Sequence, residues 1–334
     1  MFKSLFSKKS ARPATRQRSF VPSFETLEAR DVPTATASFS VVGGQTVLSI
    51  RGDNSAETIH VFNDGQGHIN ATGVVGLNPP GQSPTAQAVD KIEIDMQGGD
   101  DVVRFTQGTA ANPVTMTRSL ELTFDGGFDD DYFEANVHGQ IGFVTQSPFL
   151  GQIPFGHPVL VPVSLQITAN GGTDGILGLA PGHDTMNINA GSLTGNDNLD
   201  ILAGSKLALD LDGQGGDDQI SVTYGGELDG KLVLRANGND GDDIVSARLN
   251  LDAGSTGHVS GPDNAAGFET PALVFGGYGN DILTFTVHKD DPTDPATVNA
   301  QINGGGDPFF PGFDQGTFSA QFVDNEGLEI QNRV

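Results

Sequence analysis

Cysteine and tryptophan are absent from the 334 residues, charged side chains make up only 18%, and bases number 17 against 42 acids. No apolar run reaches the length of about 18 residues that a membrane-spanning helix requires. The missing cysteine excludes disulfides and thiolate metal sites. The shortage of bases leaves a formal net charge of -25, which argues against a general phosphate-attracting field and so against nucleic acid as a partner. What is abundant is glycine, with 46 residues, about twice the usual share. The composition is that of a soluble, acidic, glycine-rich β-protein.

The charge is unevenly spread. Residues 1–30 hold seven bases (Lys3, Lys8, Lys9, Arg12, Arg16, Arg18 and Arg30) and two acids, Glu25 and Glu28, for a local charge of +5. Residues 31–334 then carry -30. A basic, Ser/Pro-containing head on an acidic body predicts a flexible leader over residues 1–33 and a folded domain over residues 34–334. The stretch from Phe24 to Pro33, containing Leu27-Glu28-Ala29-Arg30, resembles the Leu-Glu-x-Arg leader found near the start of many planctomycete proteins thought to be exported. That resemblance implies a secreted or cell-surface location.

The body repeats one unit. In Leu207–Asp212 apolar residues alternate with small or polar ones, the period of a half-buried strand. Gly213-Gln214-Gly215-Gly216-Asp217-Asp218 then makes a turn, and Ile220, Val222 and Tyr224 open a second alternating strand. The same strand–turn–strand unit recurs around Gly126–Asp131, Gly238–Asp243 and Gly276–Asp281, in shortened form around Gly98–Asp101, and as half-copies before Gly171 and Gly304. The leading glycines at 98, 126, 171, 213, 238, 276 and 304 are 25 to 45 residues apart. A basic period of 25–28 residues with insertions is a suitable length for one coil of a stacked β structure. These patterns predict an all-β fold, a right-handed parallel β-solenoid with irregular loops, the clearest loop being Gly139–Pro162. The alternative is an antiparallel β-hairpin array or sandwich, since Tyr224–Gly230 could turn the chain back on itself. The 21 phenylalanines suit a narrow core of stacked rings. Residues 46–73 read as a first coil, and Phe318–Ile330 as the strands closing the stack.

Gly276-Gly277-Tyr278-Gly279-Asn280-Asp281-Ile282-Leu283-Thr284 fits Gly-Gly-x-Gly-x-Asp-x-apolar-x throughout. It resembles the nonapeptide of the RTX, or hemolysin-type, calcium-binding repeat proteins. Gly213–Ser221 and Gly238–Ser246 follow it except at the second place, and Gly126–Glu134 follows it except at the fourth. The resemblance covers roughly residues 90–310 and implies Ca2+ as the bound ion. Its ligand role carries over to Asp218, Asp243 and Asp281, with carbonyls at Gly213, Gly215, Gly238, Gly276 and Gly279, and with Asp131 and Asp101 as further candidates. The chemistry is consistent, because calcium takes hard oxygens, and glycine lets carbonyls crowd together. In the family these nonapeptides run in tandem. Here they are separated, so an ion can bridge them only if successive turns stack.

Other motifs carry less. Gly225–Leu232 approaches a phosphate-binding loop but has Leu232 where a hydroxyl should meet magnesium. Arg51-Gly52-Asp53 reads as a turn. No pair of the seven histidines has zinc-ligand spacing. No catalytic residue is assigned, and the chain reads as a non-enzyme. The expected function is that of an exported calcium-binding repeat protein with a structural or surface-interaction role, its partners being calcium ions and a cell-surface or extracellular polymer. The alternative is a carbohydrate-active β-solenoid enzyme, a lyase or hydrolase.

Overall fold

A computed structural model describes residues 35–77, 88–146, 159–173, 183–191, 198–304, 319–323 and 328–333. The expected leader, residues 1–33, and residues 305–318 after Gly304 lie outside the described residues. The described residues are all-β, with no helix among them.

Most strands belong to two large sheets, and the chain alternates between them. In the first sheet Gln45–Arg51, Lys91–Asp95, Leu120–Gly127, Ser164–Thr173, Lys206–Gly215 and Lys231–Asp240 lie side by side in chain order, followed by His258–Ser260, Ala272–Tyr278, Thr297–Asn303 and Leu328–Arg333. In the second, Thr58–Asn63, Val102–Gln107, Tyr132–Val137, Thr185–Ala190, Gln219–Gly226, Ile244–Leu251, Ile282–Lys289 and Ser319–Val323 do the same. Each strand pairs in parallel with its counterpart one repeat away, as Leu209 with Leu234 and Val222 with Ala247. The segment Tyr224–Gly230 therefore does not make a hairpin: Lys231–Asp240 returns beside Lys206–Gly215 instead. Antiparallel pairing closes the first edge of each large sheet, through Thr36–Val42 against Gln45–Arg51 and Ile69–Thr72 against Thr58–Asn63. A smaller parallel sheet joins Val114–Met116, Gly139–Ile141 and Leu199–Ile201.

The core follows from the alternation. One inward row of the first sheet runs Leu48, Ile92, Leu122, Ile167, Leu209, Leu234 in register. The facing row of the second runs Ile59, Val103, Phe133, Met186, Ile220, Val245, Leu283. All are buried. Large residues sit beside small ones along a row, as Phe124 beside Ala169 and Phe105 beside Ala135, which fills volume without strain. Phe124 and Phe133 stack across the core at 4.9 Å. The phenylalanine expectation holds for part of the described residues: Phe105, Phe124, Phe133 and Phe285 are buried. Phe39, Phe62, Phe128 and Phe268 are exposed, and the interior is mostly Leu, Ile, Val and Ala. Tyr224 is the largest buried side chain, and its hydroxyl donates to the Glu227 carbonyl at 3.2 Å.

Two further expectations change. Gly139–Pro162 is not simply a loop: it contains Gly139–Ile141, Phe143–Gln146 and Val159–Pro162, the last two paired antiparallel. The shortened copy is also out of phase by two residues. Asp95 is in register with Asp125, so Met96, not Gly98, stands where Gly126 stands. Gly98 and Gly99 are the third and fourth residues of that corner.

Candidate functional site at the stacked corners

Each passage from the first sheet to the second is a six-residue corner. The examples are Gly52–Glu57, Met96–Asp101, Gly126–Asp131, Gly213–Asp218, Gly238–Asp243 and Gly276–Asp281. The first three residues often continue the strand, because neighbouring corners pair with each other. Gly216 N–H donates to the Asp240 carbonyl at 2.9 Å, and Gly241 N–H to that of Tyr278 at 2.8 Å.

The glycines have different reasons. The second and fourth places take left-handed backbone: φ is 72° at Gln214, 76° at Asn239 and 111° at Gly277, then 138°, 146° and 136° at Gly216, Gly241 and Gly279. The first place does not. Glycine is required there because a carboxylate lies over its Cα. A Cβ on Gly213 would collide with Asp218 Oδ2, one on Gly238 with Asp243 Oδ2, and one on Gly276 with Asp281 Oδ2. Gly126 stands in the same relation to Asp131, and Gly171 to Asp184. Gly215, in the third place, has open space where a Cβ would go.

The sixth residues form a continuous ladder. The backbone N–H of each donates to Oδ1 of the next: Glu57 to Asp101 at 2.7 Å, Asp101 to Asp131 at 2.9 Å, Asp131 to Asp184 at 2.8 Å, Asp184 to Asp218 at 3.0 Å, Asp218 to Asp243 at 2.8 Å, and Asp243 to Asp281 at 3.1 Å. These six aspartates are between 0% and 3% exposed. The fifth residues make a second, exposed ladder of opposite sense. His183 N–H donates back to Asp130 at 3.0 Å, Asp242 to Asp217 at 2.9 Å, and Asn280 to Asp242 at 2.8 Å. Each corner is thus tied forward through one acid and backward through its neighbour.

The structure therefore brings the five sequence-predicted aspartates into one column, with Gly213, Gly238 and Gly276 beneath their carboxylates and Gly279 in a left-handed turn position. Sequence reasoning missed Asp184 and Glu57. Residues 173–182 separate Gly171-Gly172 from Asp184, which hides the motif. The alternation Met186, Ile188, Ala190 after Asp184 is the signal that could have found it. Glu57 escapes because its corner has only one glycine, Gly52.

The electrostatics are unfavourable as they stand. The Gly276 carbonyl faces the same point above Gly238 as Asp243 Oδ2, and the Gly238 carbonyl stands likewise to Asp218. Asp243 Oδ2 and Asp101 Oδ2 accept no hydrogen bond among the described residues. Burial raises the Asp243 carboxyl to about 7, helped by the charges of Asp281, Asp217 and Asp242. Burial likewise raises Asp101 to about 8, with Glu57 and Asp100 adding to it. Two acceptor oxygens facing each other in a dry corner need a proton or a cation between them. The available donors are all hard oxygens, the set calcium takes. Among the described residues no three Asp, Glu or His side chains converge on one point. A cation here would draw much of its shell from carbonyls.

No protein-family model matches the chain, and neither a curated protein nor a solved structure resembles it significantly.

Proposed function

We propose that this is an exported, calcium-binding, right-handed parallel β-solenoid protein whose corner ladder takes up Ca2+, and that its role is structural or one of surface interaction. One observation carries the reading. A fully buried carboxylate oxygen, Asp243 Oδ2, has no donor and shares its corner with a glycine carbonyl from the next repeat. A divalent cation there replaces oxygen–oxygen repulsion with attraction and ties two repeats together. Binding to the folded state alone then stabilises the fold by mass action. The alternation of the chain between two parallel sheets supports the solenoid, and the glycine–aspartate nonapeptides support the choice of ion. The Leu-Glu-x-Arg stretch supports export.

Calorimetric titration with CaCl2, paired with thermal melting in calcium and in chelator, tests this. The expected result is saturable heat and a rise in Tm with calcium. An unchanged Tm and no heat at millimolar calcium would sink the proposal.

A further inference from the structure

The outer surface of the first sheet carries a row of basic side chains in register. Lys206 is opposite Lys231, and Lys231 is opposite His258. The loop between Ser260 and Ala272 lays two acids on part of that row. Glu269 meets Lys231 at 2.6 Å and His258 Nε2 at 2.9 Å, and Asp263 meets Lys231 at 3.3 Å. Lys206 occupies the equivalent place one repeat earlier, but the loop's acids pair only with Lys231 and His258. Among the described residues Lys206 has no ion-pair partner.

Beside Lys206 lies a groove of about 320 Å³. Its floor is the next outward row, Gln166, Ala208 and Val233, again in register. Ala208 and Val233 are outward-facing yet only 9% and 7% exposed, an apolar floor between the Lys206–Lys231 row and the Asp210–Arg235 row. Lys206 and Lys231 flank one side. Asp210 flanks the other and pairs at 3.1 Å with Arg235, a guanidinium it shares with Asp212. Pro262 and Asp263 close one end, with Asp263 held by Lys231. On the far side of Lys206, the Asp229 carboxylate accepts the backbone N–H and hydroxyl of Thr256. Each acid that flanks Lys206 thus has its contacts with other groups, and among the described residues none of them pairs with the lysine.

We infer that this groove is a binding site for a small organic monocarboxylate, with its carboxylate on Lys206 and its apolar body on Ala208 and Val233. The chain supplies the precedent: where a carboxylate is tethered nearby, as Glu269 is, it settles on the same row of basic side chains. The volume is at the low end for ligand pockets, which limits the ligand to a small one. The protein's overall negative charge disfavours polyanions, so a single carboxylate is the fitting class. The inference is independent of calcium at the corners, which lie at the opposite ends of these strands.

Benzoate and benzamide, alike in shape and different in charge, are suitable probes at 0.15 M salt, where distant surface charges are screened. Titration of the full chain, followed by calorimetry and by the amide shifts of Ala208 and Val233, should show benzoate binding about tenfold more tightly than benzamide, the scale of one charge-assisted hydrogen bond. Lys206→Met keeps the aliphatic stem and should abolish that difference. Ala208→Leu should fill the floor and weaken both probes. Glu269→Gln combined with Asp263→Asn should uncover Lys231 and His258 and admit a second equivalent of benzoate. Unchanged melting of the Lys206→Met variant identifies its loss as one of binding. Equal affinity for the two probes, or a Lys206→Met variant that still prefers benzoate, overturns the inference.

Discussion

The two sides on which the chain passes between sheets are built by different rules. From first sheet to second, the passage is six residues in six of the seven described repeats, and each is hydrogen-bonded to its neighbours in the same way. From second sheet back to first, the passages differ widely in length. They span Gly226 to Lys231 in one repeat and Val137 to Ser164 in another, and three of them contribute a strand to the small third sheet. Where buried carboxylates must meet backbone N–H groups one repeat away, length cannot vary. Where the chain runs over the surface, an insertion costs only loop entropy. The one interrupted corner, between Gly171 and Asp184, obeys the same logic. Its ends keep the ladder, and the insertion lies between them.

That contrast can be broken most sharply at the first-place glycines. Gly238→Ala drives a Cβ into Asp243 Oδ2 and toward the Gly276 carbonyl, and should cost roughly 3 kcal/mol or more. Gly215→Ala meets nothing and should stay within about 0.5 kcal/mol. Chemical denaturation of the two variants measures both, and equal losses would mean that the carboxylate does not lie over the glycine.

A smaller effect separates the two oxygens of a ladder acid. Asp243→Ala orphans the buried Asp218 N–H and should destabilise by about 1–3 kcal/mol. Asp243→Asn keeps an acceptor for that N–H while removing the charge. In chelator at pH 8 it should match or exceed the parent in Tm, and it should respond less to calcium. A parent-like calcium response from the Asn variant would count against Asp243 as a ligand.

The pH dependence sharpens the same point. Asp243 and Asp101 have folded values raised to about 7 and about 8 from an ordinary 3.8. Between 3.8 and those values the folded chain holds protons that the unfolded chain has released. Stability without calcium should therefore be greatest below about pH 4 as far as these groups decide it. It should fall steadily as pH rises from there to 7–8 and level off above, by an amount on the order of a few kcal/mol. Calcium competes with the proton, so its stabilising effect should be larger at pH 8 than at pH 5. Thermal melts at both pH values, with and without chelator, check the sign. A chelated protein that gains stability from pH 5 to pH 8 would contradict it.

The smallest effect belongs to a surface loop outside the corners. Inserting two glycines after Ala265, in an exposed part of the Ser260–Ala272 loop, should change stability by less than about 1 kcal/mol. The same insertion after Gly241 would cut the ladder between Asp218 and Asp281. Comparing the two denaturation midpoints tests whether corner length is the constrained quantity.

Much of the architecture is legible in the order of residues along the chain. The alternation in Leu207–Asp212 and Ile220–Tyr224 marks strands because side chains on a pleated strand point to opposite faces. Gly-Asp turns at related spacing mark where the strands break. Parallel pairing is not legible in the same way, since a period of two is common to parallel and antiparallel strands. Nor is the phase of the Met96–Asp101 corner, because position there is set by strand register and not by the first visible glycine. Asp184 is hidden by an insertion that tertiary stacking simply bypasses.

The sequence by itself determined the β class, the inward rows and the presence of repeated acid-bearing turns, because each depends on neighbours along the chain. Only the tertiary structure decided that those acids form one buried column, that each carboxylate spans two repeats, and that the first glycine is needed for space more than for backbone freedom. Those facts depend on atoms some 25 to 53 residues apart. Local pattern does not say which of many possible partners a turn is stacked upon; the pairing of whole strands does.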